Sequence, residues 1–143
     1  MSRVVLLALV VALLAGCGDS RDDYCDAVEE HQQELSDIVG SGEPDALLGA
    51  VGVFRDLQGK APSDIRDEWQ QVVSTIDALQ EALDEAGVDP STYDRSDPPA
   101  GLSTEQRASI DAASRELGGG TTLRALEDLE QEARDVCGTS LTL

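Results

Sequence analysis

One apolar seam in the middle of the chain restricts the possible fold more than any other feature. Its members recur alternately four and three residues apart, the spacing of one face of a helix: Ile65, Trp69, Val72, Ile76, Leu79, Leu83 and Ala86. Val73 and Ala82 widen the stripe, and the run lasts only about three heptads. The seam therefore predicts a long helix buried in a bundle, with a coiled coil to a partner chain as the alternative.

Four further segments repeat this helical spacing, so the sequence predicts five helices and no strands. The first spans about residues 23–39, the second follows Pro44, the fourth begins at Ser103 and the fifth begins near residues 121–122. Ser103 and Gln106 form a capping-box pattern, which is typical of a helix start. A glycine follows each segment, as is common where helices end: Gly40, Gly59, Gly87, Gly118 and Gly138.

The apolar positions of the four shorter helices define the faces that we expect to be buried. They are Tyr24, Val28, His31, Leu35 and Ile38 in the first, Leu47, Leu48, Val51, Phe54 and Leu57 in the second, Ile110, Ala113 and Leu117 in the fourth, and Leu123, Leu126, Leu129, Ala133, Val136 and Cys137 in the fifth. Residues 88–102 lack an apolar period and contain three prolines, which indicates a loop. The predicted fold class is all-α: a five-helix bundle with one long crossover loop.

The start of the chain has the pattern of a cleaved export signal. Arg3 precedes an unbroken apolar run of 12 residues, 4–15. A helix needs roughly 20 apolar residues to cross a bilayer, so this run is too short to be a membrane span. A positive start, a short apolar run and small residues after it are typical of a signal peptide.

The apolar run ends in Leu14-Ala15-Gly16-Cys17, which resembles the lipobox of bacterial lipoproteins. The resemblance covers only the export segment. It implies removal of residues 1–16 by cleavage between Gly16 and Cys17, and attachment of diacylglycerol to the Cys17 sulfur. An ordinary secretory signal is the alternative, but the A-x-A pattern of its cleavage site is missing.

The resemblance also implies where the domain lies. A lipidated tether at 17–22 would join a helical domain at 23–143 to the extracytoplasmic face of the cell membrane. Two acyl chains anchor a protein stably, whereas one holds it only marginally. In overall plan the chain resembles small uncharacterised helical lipoproteins of high-GC Gram-positive bacteria, and this likeness implies no activity.

The part of the chain after Gly16 is strongly acidic. Its 127 residues include 9 basic and 29 acidic side chains, a net charge of −20. Nucleic-acid binding and charge-driven adhesion to anionic lipid both need a basic surface, so neither is predicted. A cationic partner or metal is one interpretation of the acidity. We prefer the other, which is that exposed acidic helix faces keep the protein soluble.

The three cysteines are accounted for once Cys17 is assigned to lipid. Cys25 and Cys137 then remain in an oxidising compartment, where we expect them to form a disulfide. Zinc is the alternative, but two thiols without a nearby histidine or third cysteine make a poor tetrahedral site. Five strictly alternating helices would hold these two residues at opposite ends of the bundle. We therefore predict that loop 88–102 runs back along the bundle, or that a short helix, the fourth, lies across it.

The sequence contains no recognisable catalytic motif. His31, the single histidine, lies on the buried line of the first helix, so we interpret it as a boundary histidine hydrogen-bonded to a neighbour. Five acids crowd segment 84–97, but their spacing does not match the EF-hand calcium loop: Asp84, Glu85, Asp89, Asp94 and Asp97. We predict no catalytic residue, no cofactor and no metal site, and therefore no enzyme.

These patterns predict a non-catalytic binding or scaffolding lipoprotein at the cell envelope. Its expected partners are the membrane, through the lipid on Cys17, and an envelope protein or small ligand whose identity the sequence leaves open. The alternative is a carrier of a small ligand or metal, with its site between helices or in the acidic segment 84–97.

Overall fold

The computed structural model describes residues 19–43 and 45–143, and every regular element in these residues is helical. The elements are α1 (Asp19–Gly40), α2 (Ala46–Lys60), α3 (Arg66–Ala86), α4 (Thr104–Leu117) and α5 (Gly120–Glu132), followed by a π-helical turn (Ala133–Cys137). The predicted all-α class is confirmed. Signal segment 1–16, the lipid attachment at Cys17 and the expected helix start at Pro44 lie outside the described residues. None of the described helices is long and apolar enough to span a bilayer.

The first three helices alternate in direction. Arg55 of α2 pairs with Asp77 of α3, and Gln58 of α2 donates to Gln70 of α3 at 3.1 Å. Residue numbers thus rise along α2 as they fall along α3, which makes the two helices antiparallel. The short connection at 41–45 and the close packing of α1 on α2 give that pair the same arrangement.

Helices α4 and α5 both run opposite to α3 and therefore share one direction. Gln106, near the start of α4, donates to the carbonyl oxygen of Glu85, near the end of α3, at 3.4 Å. Gln71 of α3 donates to Thr122, at the start of α5, at 3.3 Å, whereas Asp67 and Glu68, in the first turn of α3, share a surface groove with Asp128, near the end of α5. The five-helix bundle is therefore better described as four antiparallel segments, of which the fourth is broken into α4 and α5.

A glycine pair breaks the fourth segment. Gly119 has an extended backbone, with ψ of 155°, between two helices. A Cβ atom at Gly119 would lie 3.0 Å from the carbonyl oxygen of Glu116 and 3.2 Å from that of Arg115. The close approach of this backbone to the end of α4 thus requires glycine. The Glu116 carbonyl accepts from the backbone N of Gly119 at 3.0 Å and from the Thr122 hydroxyl at 3.0 Å, and these two bonds join the end of α4 to the start of α5.

Cys25 in α1 and Cys137 in the π-helical turn form the predicted disulfide, with 1.96 Å between the sulfurs and 5.1 Å between the Cα atoms. Both routes predicted to bring them together are wrong. Loop 88–102 begins and ends beside the same end of α3, as the Gln106 contact requires, so it is not a crossover. Helix α4 lies along α3, not across the bundle. Because α4 and α5 share a direction, the chain returns to the start of α1 without a crossover.

Two groups of buried side chains hold the segments together. The main core joins α1, α2, α3 and α5, and its fully buried members include Tyr24, Leu57, Trp69 and Leu129. The satellite core joins only α3 and α4 and consists of four buried residues: Ala82, Leu83, Ile110 and Ala113. We call the end of the bundle that carries the disulfide the disulfide end, and the opposite end, where α3 finishes, the distal end. The satellite core lies at the distal end.

Two details of the predicted helices are wrong. Helix α1 begins at Asp19, so residues 19–22 of the expected tether belong to the helix. In α5, Leu123 is 50 % exposed, and Thr122 and Ala125 are buried in its place. Thr122 is tolerated in the core because its hydroxyl has hydrogen-bond partners on α3 and at the end of α4, which an apolar pattern does not register.

Candidate functional site

An open cleft lies at the distal end, between the start of α2, the end of α3 and one side of α4. Its volume is about 570 Å³, within the range of roughly 300–1,000 Å³ that is typical of small-molecule sites. Six aliphatic side chains form its walls, two from each helix: Leu47, Leu48, Leu79, Leu83, Ile110 and Leu117. Residues 90–95 of the loop complete the lining. We call this space the distal cleft.

The walls come from helix faces that the sequence predicts to be buried. Leu47, Leu48, Leu79 and Leu117 occupy core positions of those faces, yet each is only partly buried. Among the described helices, α2 and α4 both flank α3, but their backbones do not come close to each other, so their apolar faces stand apart. Protein interiors are normally close-packed, and leaving aliphatic surface in water costs about 25 cal/mol per Å². The distal cleft is thus an unfilled part of the core.

Local turns in the loop hold Tyr93 against the end of α3. A carboxylate oxygen of Asp89 accepts hydrogen bonds from the backbone N and the Oγ of Ser91, at 3.0 and 2.7 Å. These bonds favour the charged form and keep the pKa of the Asp89 carboxyl below its ordinary value. Asp94 accepts from the backbone N of Ser96 at 2.7 Å. Between the two turns, half-buried Tyr93 packs on the satellite core and lines the distal cleft.

Charged groups lie on the rim of the distal cleft. The Nε of Arg95 lies 3.1 Å from Oδ1 of Asp111, which makes an ion pair between the loop and α4. Asp94 forms no ion pair with any of the described residues. The Arg95–Asp111 pair is neutral as a unit, so Asp94 leaves the rim with a net negative charge.

His31 lies away from the distal cleft, between α1 and α2. Its side chain is 19 % exposed, with Nε2 at 3.0 Å from Asp56 and Nδ1 at 3.4 Å from Glu34. Lys60 contacts the same Asp56 carboxylate at 2.7 Å. Hydrogen bonds from Lys60 and then from His31 keep the pKa of Asp56 below its ordinary value. This is the arrangement predicted for a boundary histidine held by its neighbours.

The carboxylates of segment 84–97 face different surfaces. Asp94 lines the distal cleft, whereas Asp89 borders a separate pocket under the loop. Asp84 and Glu85 border a groove on another side of α3, beside Arg55. Throughout the two described ranges, no group of three or more histidine, cysteine, aspartate or glutamate side chains is placed to share a metal ion.

At the disulfide end, Trp69 and Tyr24 are fully buried against each other. Trp69 Nε1 donates to the Tyr24 hydroxyl at 3.2 Å, and the Phe54 ring lies 5.6 Å from the Trp69 ring. Burial raises the pKa of Tyr24 to about 12, because a buried phenolate loses its hydration; the Trp69 hydrogen bond opposes this rise. These aromatic residues fill the main core and leave no open aromatic surface for a ligand.

Of the residues on the rim of the distal cleft, sequence analysis names only Asp94, as part of the acidic segment 84–97. Tyr93, Arg95, Asp111 and Ser114 come from a loop and a helix that are adjacent only after folding. A sequence signal close to the cleft is the double leucine at the start of the second helix, and both of these side chains, Leu47 and Leu48, are only partly buried in the structure. No protein-family model, curated protein or solved structure matches this chain.

Proposed function

We propose that this chain is the precursor of a non-catalytic lipoprotein that binds a small apolar ligand at the extracytoplasmic face of the cell membrane. The distal cleft is the observation that carries the ligand-binding part, because open aliphatic walls of this size favour occupation by a small apolar molecule. The lipobox at 14–17 supports the anchor. The Cys25–Cys137 disulfide supports an oxidising compartment.

The start of α1, which follows the proposed anchor in sequence, and the distal cleft lie at opposite ends of the described helices. Helix α1 begins two residues after Cys17 and has 22 residues, about 33 Å at 1.5 Å per residue. Helix α2, whose Leu47 and Leu48 line the cleft, begins near the far end of α1. A lipid on Cys17 would therefore hold the disulfide end at the membrane and direct the cleft away from it. In this orientation the ligand exchanges with the surrounding envelope, not with the bilayer beneath.

The second candidate function is a scaffold that binds partners through its outer surface alone. In that case the distal cleft would have no role in binding. A ligand carrier is favoured because the distal cleft leaves aliphatic side chains at core positions partly open. A small protein that needed only a surface would gain stability by filling this space.

The anchor is tested by Cys17→Ser in the precursor, expressed in a bacterial host fed radiolabelled palmitate. We expect the label to disappear and residues 1–16 to be retained, because serine lacks the nucleophilic sulfur. Ser20→Ala, just outside the lipobox, is the control and should be labelled and cleaved normally. Normal labelling of the Cys17→Ser protein would show that the lipobox interpretation is wrong.

The binding site is tested with the neutral fluorescent probe N-phenylnaphthylamine and the soluble domain from Gly18 onward, which contains all of the described helices. We expect saturable binding of the probe. Ser114→Phe places a ring in the distal cleft and should weaken binding by at least about tenfold. Ala112→Phe adds the same ring to the exposed side of α4 and should leave binding unchanged. Circular dichroism checks that both variants are folded. Equal affinity in both variants would place the probe elsewhere.

A further inference from the structure

We infer that the ligand of the distal cleft is an amphiphile with a cationic head, whose hydrocarbon body fills the cleft while its head lies beside Asp94. This inference rests on the proposed function, because it specifies the ligand of the same cleft. It goes beyond that function by assigning a charge to the ligand and a role to one residue of the rim.

The walls of the distal cleft determine the body of the ligand. The six aliphatic side chains carry no hydrogen-bond donor or acceptor, and the polar lining residues are confined to the loop and to Ser114. A ligand with polar groups along its whole length, such as a sugar, would bury some of them against these walls without hydrogen-bond partners, which is unfavourable. A hydrocarbon body meets no such cost and gains from leaving water.

The rim determines the charge of the head. Arg95 is the only cation in the lining, and its Nε already contacts Asp111 at 3.1 Å. An anionic head would approach a guanidinium whose charge Asp111 already offsets, and it would also meet the carboxylate of Asp94. A cationic head disturbs no existing pair and gives Asp94 an ionic partner, which it lacks among the described residues. The contact lies in solvent, so its strength should fall as salt concentration rises.

The charge of the whole chain acts in the same direction. The residues after Gly16 carry a net charge of −20. Such a field raises the local concentration of cations near the surface and lowers that of anions. Cationic amphiphiles are therefore favoured by the carboxylate at the rim and by the negative charge of the whole chain. Amphiphiles with a carboxylate head, such as fatty acids, are disfavoured by both.

The inference is tested by displacing bound N-phenylnaphthylamine from the soluble domain with three ten-carbon amphiphiles, each kept below its micelle concentration. These are decyltrimethylammonium, decanol and decanoate, which share a hydrocarbon body and differ in head charge. We expect decyltrimethylammonium to displace the probe at about one tenth of the decanoate concentration, with decanol between them, in low salt. The difference should shrink in high salt.

The variant Asp94→Asn tests whether the preference for a cationic head comes from the rim of the distal cleft. We expect this variant to lose most of the advantage of decyltrimethylammonium over decanol, with each displacement referred to the variant's own affinity for the probe. Asp97→Asn, in the same loop but outside the cleft lining, removes the same charge from the chain and should retain the preference. Equal loss in both variants would attribute the preference to the overall field and overturn the role of Asp94.

The remaining outcomes separate the two proposals. If the probe does not bind at all, the proposed function fails. If the probe binds and decanoate displaces it as well as decyltrimethylammonium does, only the cationic head is refuted. Sedimentation checks a third occupant: a dimer that Ser114→Phe abolishes would show that a second copy of the chain fills the distal cleft, and would overturn both proposals.

Discussion

At the disulfide end, Trp69 and Tyr24 are fully buried and hydrogen-bonded to each other, and a covalent bond joins the first helix to the last turn. At the distal end, the satellite core has only four buried residues, and Leu48 and Leu79 beside it remain partly open. The disulfide end thus has both tight packing and a cross-link, whereas the distal end has neither. We interpret this difference as a division between a part that stabilises the fold and a part that binds.

The contrast arises from how the fourth segment is placed. Helix α5 packs against α3 at the disulfide end, and the π-helical turn that follows it closes against α1. Helix α4 packs against α3 at the distal end, but its backbone does not come close to that of α1 or α2. One segment therefore completes the core at one end and leaves it open at the other. Four changes test whether stability is distributed in this way.

Loss of the disulfide should have the largest effect. In the chain-entropy model, a bond that closes a loop of about 100 residues contributes roughly 4.7 kcal/mol, and measured losses are typically 2–5 kcal/mol. We expect reduction to lower the free energy of unfolding in urea by that amount, while the helical signal at 25 °C persists. The double variant Cys25→Ala, Cys137→Ala should show the same stability with and without reductant. An unchanged urea midpoint after reduction would contradict this distribution of stability.

A matched pair of leucine truncations compares the two ends directly. Leu57 of the main core and Leu83 of the satellite core are almost equally buried, at 0 % and 3 % exposure. Leucine-to-alanine changes cost about 2–5 kcal/mol, and the least where the surroundings can relax. We expect Leu57→Ala to cost about 4 kcal/mol in urea unfolding and Leu83→Ala about 2 kcal/mol, because the latter borders the distal cleft. A larger loss of stability in Leu83→Ala than in Leu57→Ala would contradict the interpretation that the main core contributes more to stability than the satellite core.

Alkaline pH should weaken the disulfide end through Tyr24. Its pKa in the folded protein is raised from 10.0 to about 12, so folding favours the neutral phenol. The corresponding stability is complete below pH 10 and is lost as the pH rises through 12. Two pKa units correspond to about 2.7 kcal/mol, the limit of this loss. Urea unfolding at several pH values should show it. Tyr24→Phe should abolish this alkaline decline, and Tyr93→Phe, at the distal cleft, should retain it.

The smallest expected effect is local to α4. The Ser103 hydroxyl accepts from the backbone N of Gln106 at 3.1 Å, and the Gln106 side chain accepts from the backbone N of Ser103 at 2.9 Å. Ser103→Ala removes half of this capping box and should cost about 1 kcal/mol. Hydrogen exchange should speed up in the first turn of α4 and remain unchanged in the main core. Thr104→Ala, one residue later, is the control without a capping role.

The helices were predictable because their signals are local. The seam from Ile65 to Leu83 and the capping box at Ser103 each depend on residues within a few turns of one helix. The Cys25–Cys137 pair was predictable by elimination, once Cys17 was assigned to lipid. Predicting these features does not require knowing how segments that are distant in sequence are arranged in the fold.

The direction of α5 and the distal cleft could not be predicted in this way. A glycine pair indicates a break, but Gly119 can adopt many backbone conformations, and the value of ψ observed there decides where α5 points. The cleft depends on which leucines lack a neighbour across the bundle, which is a property of the packed helices. The helical spacing correctly assigns Leu48 and Leu79 to the apolar faces of their helices. It does not show whether another helix packs against those positions.

The disulfide also has a consequence for how proteases would break down the folded chain. Cys25 and Cys137 are separated by 112 positions, so every loop between helices lies inside the covalent ring that they close. A protease that cuts the exposed loop after Arg95 would leave two pieces still joined by the sulfurs. With a lipid on Cys17, the nicked protein would stay attached to the membrane. Only reduction of the bond, followed by separation of the packed helices, would shed the C-terminal piece.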